Sequence, residues 1–351
     1  MEMTYLQKLK IELLCYGIRL GEEKRNFTRY RFKRASLSEG LYFILRKDGE
    51  ECTTNLAVFE DFVEKSPYFY RDGVIYKDEV PVCEAEIIPD PLWYKEVLSD
   101  GREFQSILQQ HGKDVLAIAI SDCFYKRDEK ECLFCALQRD GERKKAEDVE
   151  YIIKNLKEKG FSYRELNINS GTMDEKNFGA EIYGEIARIG KKEGLKVYIQ
   201  IPPIEKEAMI FLKKAGVDSI SINLEIYNDD LRKKICPGKS KIKREDYFSA
   251  LSDAVEVFGP SQVSSWLIIG LEPEEETRKG IDEILKRGAI PHPSVFRPLK
   301  GSKLENLSPP SPDMAMRIYS YLNEKLAEKG LNVKLSKSGC VNCGCCTVII
   351  K

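Results

Sequence analysis

The chain has 351 residues, of which 42% are hydrophobic and 32% are charged. Its 56 basic and 57 acidic side chains nearly balance, which argues against a nonspecific nucleic-acid-binding protein, because such proteins usually carry a basic excess. No segment approaches the roughly 20 apolar residues of a membrane span, and the N-terminus lacks the small-residue cleavage site of a secretory signal. We therefore expect a cytoplasmic protein that binds neither nucleic acid nor membrane.

The first 110 residues indicate mixed structure. A helix is expected near residues 3–15, and "GLYFILRKDG" is typical of a strand that enters a turn. The stretch "SPYFYRDGVIYKDEVPV" predicts a hairpin, with Asp72 and Gly73 as its turn. The prolines of "IIPDPLWY" end this region. We interpret residues 1–110 as an N-terminal α+β appendage.

Short apolar runs alternate with amphipathic helices from about residue 114 onward. Six strand–helix units in series predict a parallel sheet with crossover helices. No glycine-rich dinucleotide loop follows the first strand, which favours a partial (β/α)6 TIM-like barrel over a Rossmann sheet. We assign this core to residues 111–330. The predicted strands are "DVLAIAIS", "RELNINSG", "LKVYIQIPP", "VDSISINLE", "VSSWLIIGLE" and "HPSVFRPLKG".

Eleven cysteines are many for a cytosolic chain, and seven of them fall into two tight groups. The first group is Cys123, Cys132 and Cys135, which begins directly after the first barrel strand. Three thiolates can hold three irons of a cubane cluster and leave the fourth iron open to another ligand. A zinc site that takes its fourth ligand from elsewhere is an alternative, as is a disulfide-stapled secreted protein.

Three cysteines after the first strand of such a chain resemble the radical S-adenosylmethionine (SAM) superfamily. The spacing here is C-x8-C-x2-C, whereas the superfamily usually has C-x3-C-x2-C, but "ECLFC" keeps the aromatic residue before the last cysteine. Later segments follow the expected strands in order: "NSGT", which lacks the usual glutamate, "SINLEIYNDDLRKK", "WLIIGLEPEEET" and "VFRPLKGSKLE". The resemblance implies a [4Fe–4S] cluster and SAM, with cofactor contacts from Ser170, Gly171, Thr172, Glu225, Arg232 and Gly270.

Each of these contacts also has a structural interpretation. Gly171 and Gly270 permit tight turns, Glu225 suits a solvated helix start, and Arg232 suits a surface ion pair. The order of the segments, one after each strand, favours the cofactor interpretation.

A narrower resemblance covers nearly the whole chain. The stretches "ELLCYGIRL", "SPYF", "DPLWYKEVLSDGREFQSILQQHGKDVLAIAISDC" and "ECLFCAL" resemble biotin synthase-related radical proteins, which include components of the archaeal two-protein lipoyl synthase. This resemblance implies sulfur insertion into an octanoyl group on a lipoyl carrier protein. It also implies a reductant such as ferredoxin and a sister radical SAM protein as partners.

The second cysteine group lies in a Cys-rich tail, residues 331–351, and consists of Cys340, Cys343, Cys345 and Cys346. We interpret the group as the site of a second [4Fe–4S] cluster that donates sulfur or passes electrons. Adjacent thiols rarely share one metal, so Cys340, Cys343 and Cys346 are favoured, with Cys345 or Cys15 as the remaining ligand. A zinc knuckle or a redox-active tail is the alternative. Packing or structural roles are expected for Cys52, Cys83, Cys236 and His111.

Two further functions compete with sulfur insertion. One is another radical SAM reaction, such as cofactor biosynthesis, methylation or carbon–carbon bond formation on a small molecule. The other is a non-enzymatic barrel that zinc stabilises and that binds a partner.

Overall fold

The computed structural model describes residues 3–21, 40–137 and 143–349. Residues 22–39 of the predicted appendage and the last two residues of the predicted tail lie outside this range. In the described part, no helix has the length and apolar character needed to cross a membrane.

The N-terminal region forms one helix against a six-stranded, mostly antiparallel sheet. Helix α1 (Tyr5–Tyr16) begins at a capping box in which Thr4 accepts from the Gln7 N–H and Gln7 accepts from the Thr4 N–H. The sheet has the order β1-β4-β5-β6-β2-β3, and β4 and β5 form the predicted hairpin. Its strands are β1 (Arg19–Leu20), β2 (Leu41–Lys47), β3 (Glu50–Leu56), β4 (Tyr68–Arg71), β5 (Val74–Lys77) and β6 (Val80–Ile87).

A second sheet of seven strands forms the core, in the order β13-β12-β11-β10-β9-β8-β7. Each strand from β8 to β13 pairs in parallel with the next, whereas β7 pairs antiparallel with β8. This curled half-barrel confirms the predicted α/β fold. The strands are β7 (Gln109–His111), β8 (Val115–Ala119), β9 (Glu165–Asn169), β10 (Lys196–Gln200), β11 (Ser219–Ser221), β12 (Val263–Ile269) and β13 (Ile290–Val295).

Crossover helices cover the outer face of this sheet through apolar stripes. In α3, the predicted apolar residues Val149, Ile152, Ile153 and Leu156 are all buried. The helices are α2 (Phe124–Arg127), α3 (Ala146–Glu158), α4 (Ala180–Lys192), α5 (Lys206–Ala215), α6 (Asp229–Ile235), α7 (Arg244–Phe258), α8 (Glu274–Lys286), α9 (Pro312–Lys329) and α10 (Cys340–Cys343). Short 3₁₀ turns lie at Asp61–Lys65, Leu92–Lys95, Phe104–Ser106, Lys176–Gly179, Lys239–Lys241 and Val333–Leu335.

The C-terminal tail is built into the fold. Val341 and Val348 are buried in the main hydrophobic core. The Thr347 hydroxyl donates to the carbonyl of Pro293 on β13, at 2.9 Å. On the other side, the Asn55 N–H donates to the carbonyl of Cys345, at 3.0 Å. The tail therefore lies between the half-barrel and the N-terminal sheet.

Candidate active site at the carboxyl ends of the barrel strands

A cavity of about 260 Å³ opens where the parallel strands end. Ala119, Asn169 and Gln200 are the last residues of β8, β9 and β10, and all three line it. Leu14 and Tyr42 of the N-terminal region also line it. Ligand sites of parallel α/β sheets lie at this edge, so the cavity has the usual position of a ligand site.

The three cysteines of the first group line this cavity. Cys123 precedes α2, and the Cys135 N–H donates to the Cys132 carbonyl at 3.0 Å, which holds the C-x2-C turn together. A hydrogen bond with Cys236 and burial raise the pKa of the Cys132 thiol, and burial raises that of Cys135 to about 12. Both thiols therefore keep their protons until a metal displaces them.

The segment after β9 runs beside the segment that carries Cys123. The Ile120 N–H donates to the Asn169 carbonyl at 2.8 Å, and the Gly171 N–H donates to the Ser121 carbonyl at 3.0 Å. A Cβ atom on Gly171 would lie 2.3 Å from the Cys123 backbone nitrogen. Glycine is therefore required at residue 171 because the backbone of Cys123 crosses it in close contact.

Glu225 brings a carboxylate to the thiols from the end of β11. Its Oε2 atom lies 3.9 Å from the Sγ atoms of both Cys132 and Cys236. Its other oxygen accepts from the Lys239 ammonium at 2.7 Å. Glu225 and Lys239 line the cavity, so a charged pair borders the first cysteine group.

Several residues of the cavity wall carry a buried polar atom that has no hydrogen-bond partner among the described residues. Among these atoms are Asn167 Oδ1, Asn169 Oδ1 and Trp266 Nε1. Buried polar groups are normally satisfied, so orphaned ones at a cavity indicate a polar ligand. The thiols and these orphans together fit an iron–sulfur cluster with a polar cofactor beside it.

The four tail cysteines line the same cavity. The Sγ atoms of Cys343 and Cys345 lie 3.2 Å apart and share a hydrogen bond, which lowers the pKa of Cys343. Burial raises the pKa of Cys346 to about 11 and that of Cys340 well above its usual range. Cys15, the other proposed ligand, is buried in the main core and does not line the cavity.

Two cations lie beside the tail cysteines. The Lys10 ammonium is buried and donates to the Gly344 carbonyl at 2.6 Å and to the Thr53 carbonyl at 2.9 Å. Within the described ranges, no carboxylate lies at ion-pair distance from it. Arg297 lines the cavity and donates to the Asn55 side chain and carbonyl at 2.9 and 2.7 Å. Buried cations need nearby negative charge, and the tail thiols are the acidic groups placed to supply it.

A hydrogen-bonded chain reaches from the barrel strands to the tail. The Ser221 hydroxyl donates to Asn223 Oδ1 at 2.6 Å, and Asn223 Nδ2 donates to Gln200 Oε1 at 2.8 Å. The Gln200 amide nitrogen then donates to the Cys340 Sγ atom at 3.6 Å. The orientation of the Gln200 amide is thus fixed before any metal binds.

Comparison with known protein families identifies one segment of the chain. The model of the radical SAM superfamily matches residues 123–284. This segment belongs to the radical SAM superfamily. The match begins at Cys123, contains four of the six parallel strands, β9 to β12, and ends within α8. Membership implies a [4Fe–4S] cluster and SAM, for which the first cysteine group and the orphaned polar atoms are suited.

Known relatives match this chain in part. It is 31% identical over 129 residues to bacteriochlorophyllide c C-7(1)-hydroxylase of Chlorobaculum limnaeum, a match that covers 36% of this chain and 31% of the relative. The chain thus spans about a third of that relative. The structure of methylornithine synthase (PylB) aligns with TM-score 0.48 and 18% identity over 59% of this chain and 62% of that one. A radical SAM methyltransferase from Sphaerobacter thermophilus aligns with TM-score 0.46 and 17% identity over 72% and 76%.

The predicted cofactor residues occupy different places in the half-barrel. Ser170, Gly171, Thr172 and Glu225 line the cavity, whereas Arg232 and Gly270 lie outside it. Arg232 donates to the carbonyls of Lys239 and Ile242 and so shapes the loop after α6. A Cβ atom on Gly270 would lie 2.8 Å from Pro310, so this glycine serves chain packing.

Sequence reasoning missed Gln200 and Lys239, which line the cavity, and Lys10 and Cys236, which lie near residues that line it. Cys236 was expected to be a packing residue, yet its sulfur lies with Cys132 beside Glu225. The one signal for it was its position at the start of "CPGKS", four residues after the predicted contact Arg232.

Proposed function

We propose that this chain is a radical SAM enzyme that inserts sulfur into an octanoyl group on a lipoyl carrier protein, as a lipoyl synthase component. One observation carries the proposal: both cysteine groups line a single cavity. A sulfur source at the tail would therefore share one space with the substrate and the site of radical formation.

The first cysteine group would hold the superfamily cluster through Cys123, Cys132 and Cys135. That cluster, together with SAM, would supply the radical chemistry that removes hydrogen from an unactivated carbon. The chain's own residues would orient the cofactor and shield it from water. Phe134 and Phe296 are buried on the cavity wall and would exclude water from the site of radical formation. Asn167, Asn169 and Trp266 offer their unpaired polar atoms to the cofactor.

The tail would hold a second [4Fe–4S] cluster that acts as the sulfur source. The charge around it supports this assignment, because Lys10 lies near Cys345 and Cys346, Arg297 lies near Cys346, and these thiols become anionic on binding metal. Cys340, Cys343 and Cys346 remain the favoured ligands, and Cys345, whose Sγ atom lies 3.2 Å from that of Cys343, is the candidate for the fourth. A reductant of the ferredoxin class and a sister radical SAM protein are the proposed partners.

The test removes each cysteine group in a separate variant, and every protein is purified and reconstituted without oxygen. One variant carries Cys123→Ala, Cys132→Ala and Cys135→Ala, and the other carries Cys340→Ala, Cys343→Ala and Cys346→Ala. Cys83→Ala, a buried thiol of β6, is the matched control. Iron, sulfide, SAM cleavage and thiolated octanoyl product are measured for each protein.

We expect the first variant to lose SAM cleavage and the second to keep cleavage but form no carbon–sulfur bond. Each variant should lose about four irons per chain, as one cubane requires, and the control should lose none. A carbon–sulfur product from the tail variant would refute the tail as sulfur source.

A second candidate is insertion of oxygen into a carbon–hydrogen bond. The partial match to a hydroxylase, which covers 36% of this chain, favours this candidate. A hydroxylated product without new sulfur, formed equally well by the tail variant, would favour this candidate. A protein that binds zinc and no iron would instead favour the non-enzymatic barrel.

A further inference from the structure

Two thiols and a carboxylate meet at one buried point beside the radical site. The Sγ atoms of Cys132 and Cys236 each lie 3.9 Å from Glu225 Oε2, and the three atoms all lie within 4.8 Å of one another. Zinc–ligand bonds of roughly 2.0–2.3 Å place neighbouring atoms of a tetrahedral site roughly 3.5–3.8 Å apart. To bind one ion, each sulfur atom therefore needs to approach Glu225 Oε2 by only a few tenths of an ångström.

The backbone holds the two cysteines together without a ligand. The Leu133 N–H donates to the Ile235 carbonyl, and the Gly238 N–H donates to the Lys130 carbonyl, both at 2.8 Å. These bonds flank Cys132 on one segment and Cys236 on the other. A Cβ atom on Gly238 would lie 2.3 Å from the ring of Tyr125, so the two segments are in close contact.

The charges of this group balance around a divalent cation. Lys239 donates to Glu225 Oε1 at 2.7 Å and leaves Oε2 facing the sulfur atoms. Two thiolates and one carboxylate carry three negative charges, the ammonium carries one positive charge, and a divalent cation makes the sum zero. A buried site is strongly favoured when it is neutral, and thiolate ligands select thiophilic metals.

We propose that Cys132, Glu225 and Cys236 form a binding site for a single thiophilic divalent cation, of the class of Fe²⁺ or Zn²⁺, in the cluster-free chain. The site is distinct from the superfamily cluster because Cys236 and Glu225 are not among the three cluster cysteines. Cys132 belongs to both, so ion and cluster exclude each other, and the ion is held before cluster assembly.

The test uses the full-length chain with Cys123→Ala and Cys135→Ala, in which the cluster triad cannot form. Co²⁺ is titrated without oxygen, and bound Co²⁺ and thiolate-to-cobalt charge-transfer absorption are measured. Adding Cys236→Ala should remove one Co²⁺ per chain and its absorption, whereas adding the control Cys83→Ala should remove neither. The tail cysteines are present in every variant, so their contribution cancels in the comparison.

Equal Co²⁺ stoichiometry and absorption with and without Cys236 would overturn the proposal. Circular dichroism establishes that each variant is folded. If Cys236→Ala does not fold, Glu225→Gln takes its place, with a roughly 10-fold or greater loss of Co²⁺ affinity expected and unchanged affinity as the refuting result. None of these readouts depends on sulfur insertion, so this proposal can fail while the proposed function stands.

Discussion

Substitution of Gly171 by alanine adds one methyl group, but it should strongly disturb the proposed cluster site at Cys123. The added Cβ atom would lie 2.3 Å from the Cys123 nitrogen and 2.4 Å from both the Asp122 carbonyl carbon and the Cys123 Cα atom. All three neighbours are backbone atoms, so no side-chain rotation relieves the contact. Either Gly171 or Cys123 must move, and Cys123 is a proposed cluster ligand.

The number and kind of these contacts determine how much unfolding free energy Gly171→Ala loses. Overpacking usually costs roughly 1–3 kcal/mol, and three backbone contacts well inside normal separation place Gly171→Ala at about 3 kcal/mol. Gly160→Ala is the matched control. Gly160 has a φ of +82° and open space at its Cβ position, so alanine there costs about 1 kcal/mol of backbone strain and touches no thiol.

Two measurements check this reasoning. Denaturant unfolding of the cluster-free chains gives the loss of unfolding free energy, and iron content after reconstitution in the tail-substituted background reports the radical site alone. Gly171→Ala should lose more stability than Gly160→Ala and should also lose iron, which Gly160→Ala should retain. Full iron occupancy in Gly171→Ala, with stability no lower than that of the control, would refute the close-contact argument.

Three more predictions concern the tail and a buried histidine. Lys10→Met should weaken iron retention at the tail roughly 10-fold, because it removes the buried cation. Lys10→Arg keeps the positive charge and should retain more iron than Lys10→Met. Iron analysis of both substitutions in the Cys123/Cys132/Cys135 alanine variant checks this. Gln200→Leu should lower the midpoint potential of a tail cluster, because it removes the N–H donated to Cys340 Sγ; a redox titration with no shift would contradict it. Burial lowers the pKa of His292 from 6.5 to about 4, so between those pH values the unfolded chain binds the extra proton and stability falls as pH falls, by about 3 kcal/mol in total. His292→Gln should remove that contribution. Burial raises the pKa values of Glu165 and Glu272 to about 7, so these two groups make stability rise as pH falls. Their effect is the same in wild type and variant, so the difference between the two curves of unfolding free energy against pH measures the contribution of His292.

The sequence carried enough information to predict the barrel and its active edge. Each parallel strand is a short apolar run with an amphipathic helix after it, and both signals are local in the chain. Cys123 follows the first such strand, so its place at the carboxyl edge follows from topology alone. The hairpin of β4 and β5 was equally predictable, because Asp72 and Gly73 form a turn with both residues at positive φ.

The features that the sequence could not predict all depend on contacts between distant segments. Lys10 lies 334 residues from Gly344, to whose carbonyl it donates. Cys236 joins Cys132 only because the loop after α6 folds back onto the cysteine loop. Loop conformation also determines the contacts of Arg232. Its sequence position predicted a cofactor contact, and its guanidinium donates to carbonyls of its own loop. Chain order fixes which strand edge a residue occupies, but loop conformation decides what it touches.

The position of the tail also decides how the proposed function has to be tested. Truncation after α9 would remove the four thiols, but it would also remove Val341 and Val348, which are 4% exposed in the main core. Burial of a valine contributes about 1.5–3 kcal/mol, so the shortened chain would lose several kcal/mol together with one wall of the cavity. Loss of activity after truncation would then say nothing about sulfur. Cysteine-to-alanine substitutions leave the valines and the backbone bond between Asn55 and Cys345 in place, so only they separate a tail that supplies sulfur from one that closes the cavity.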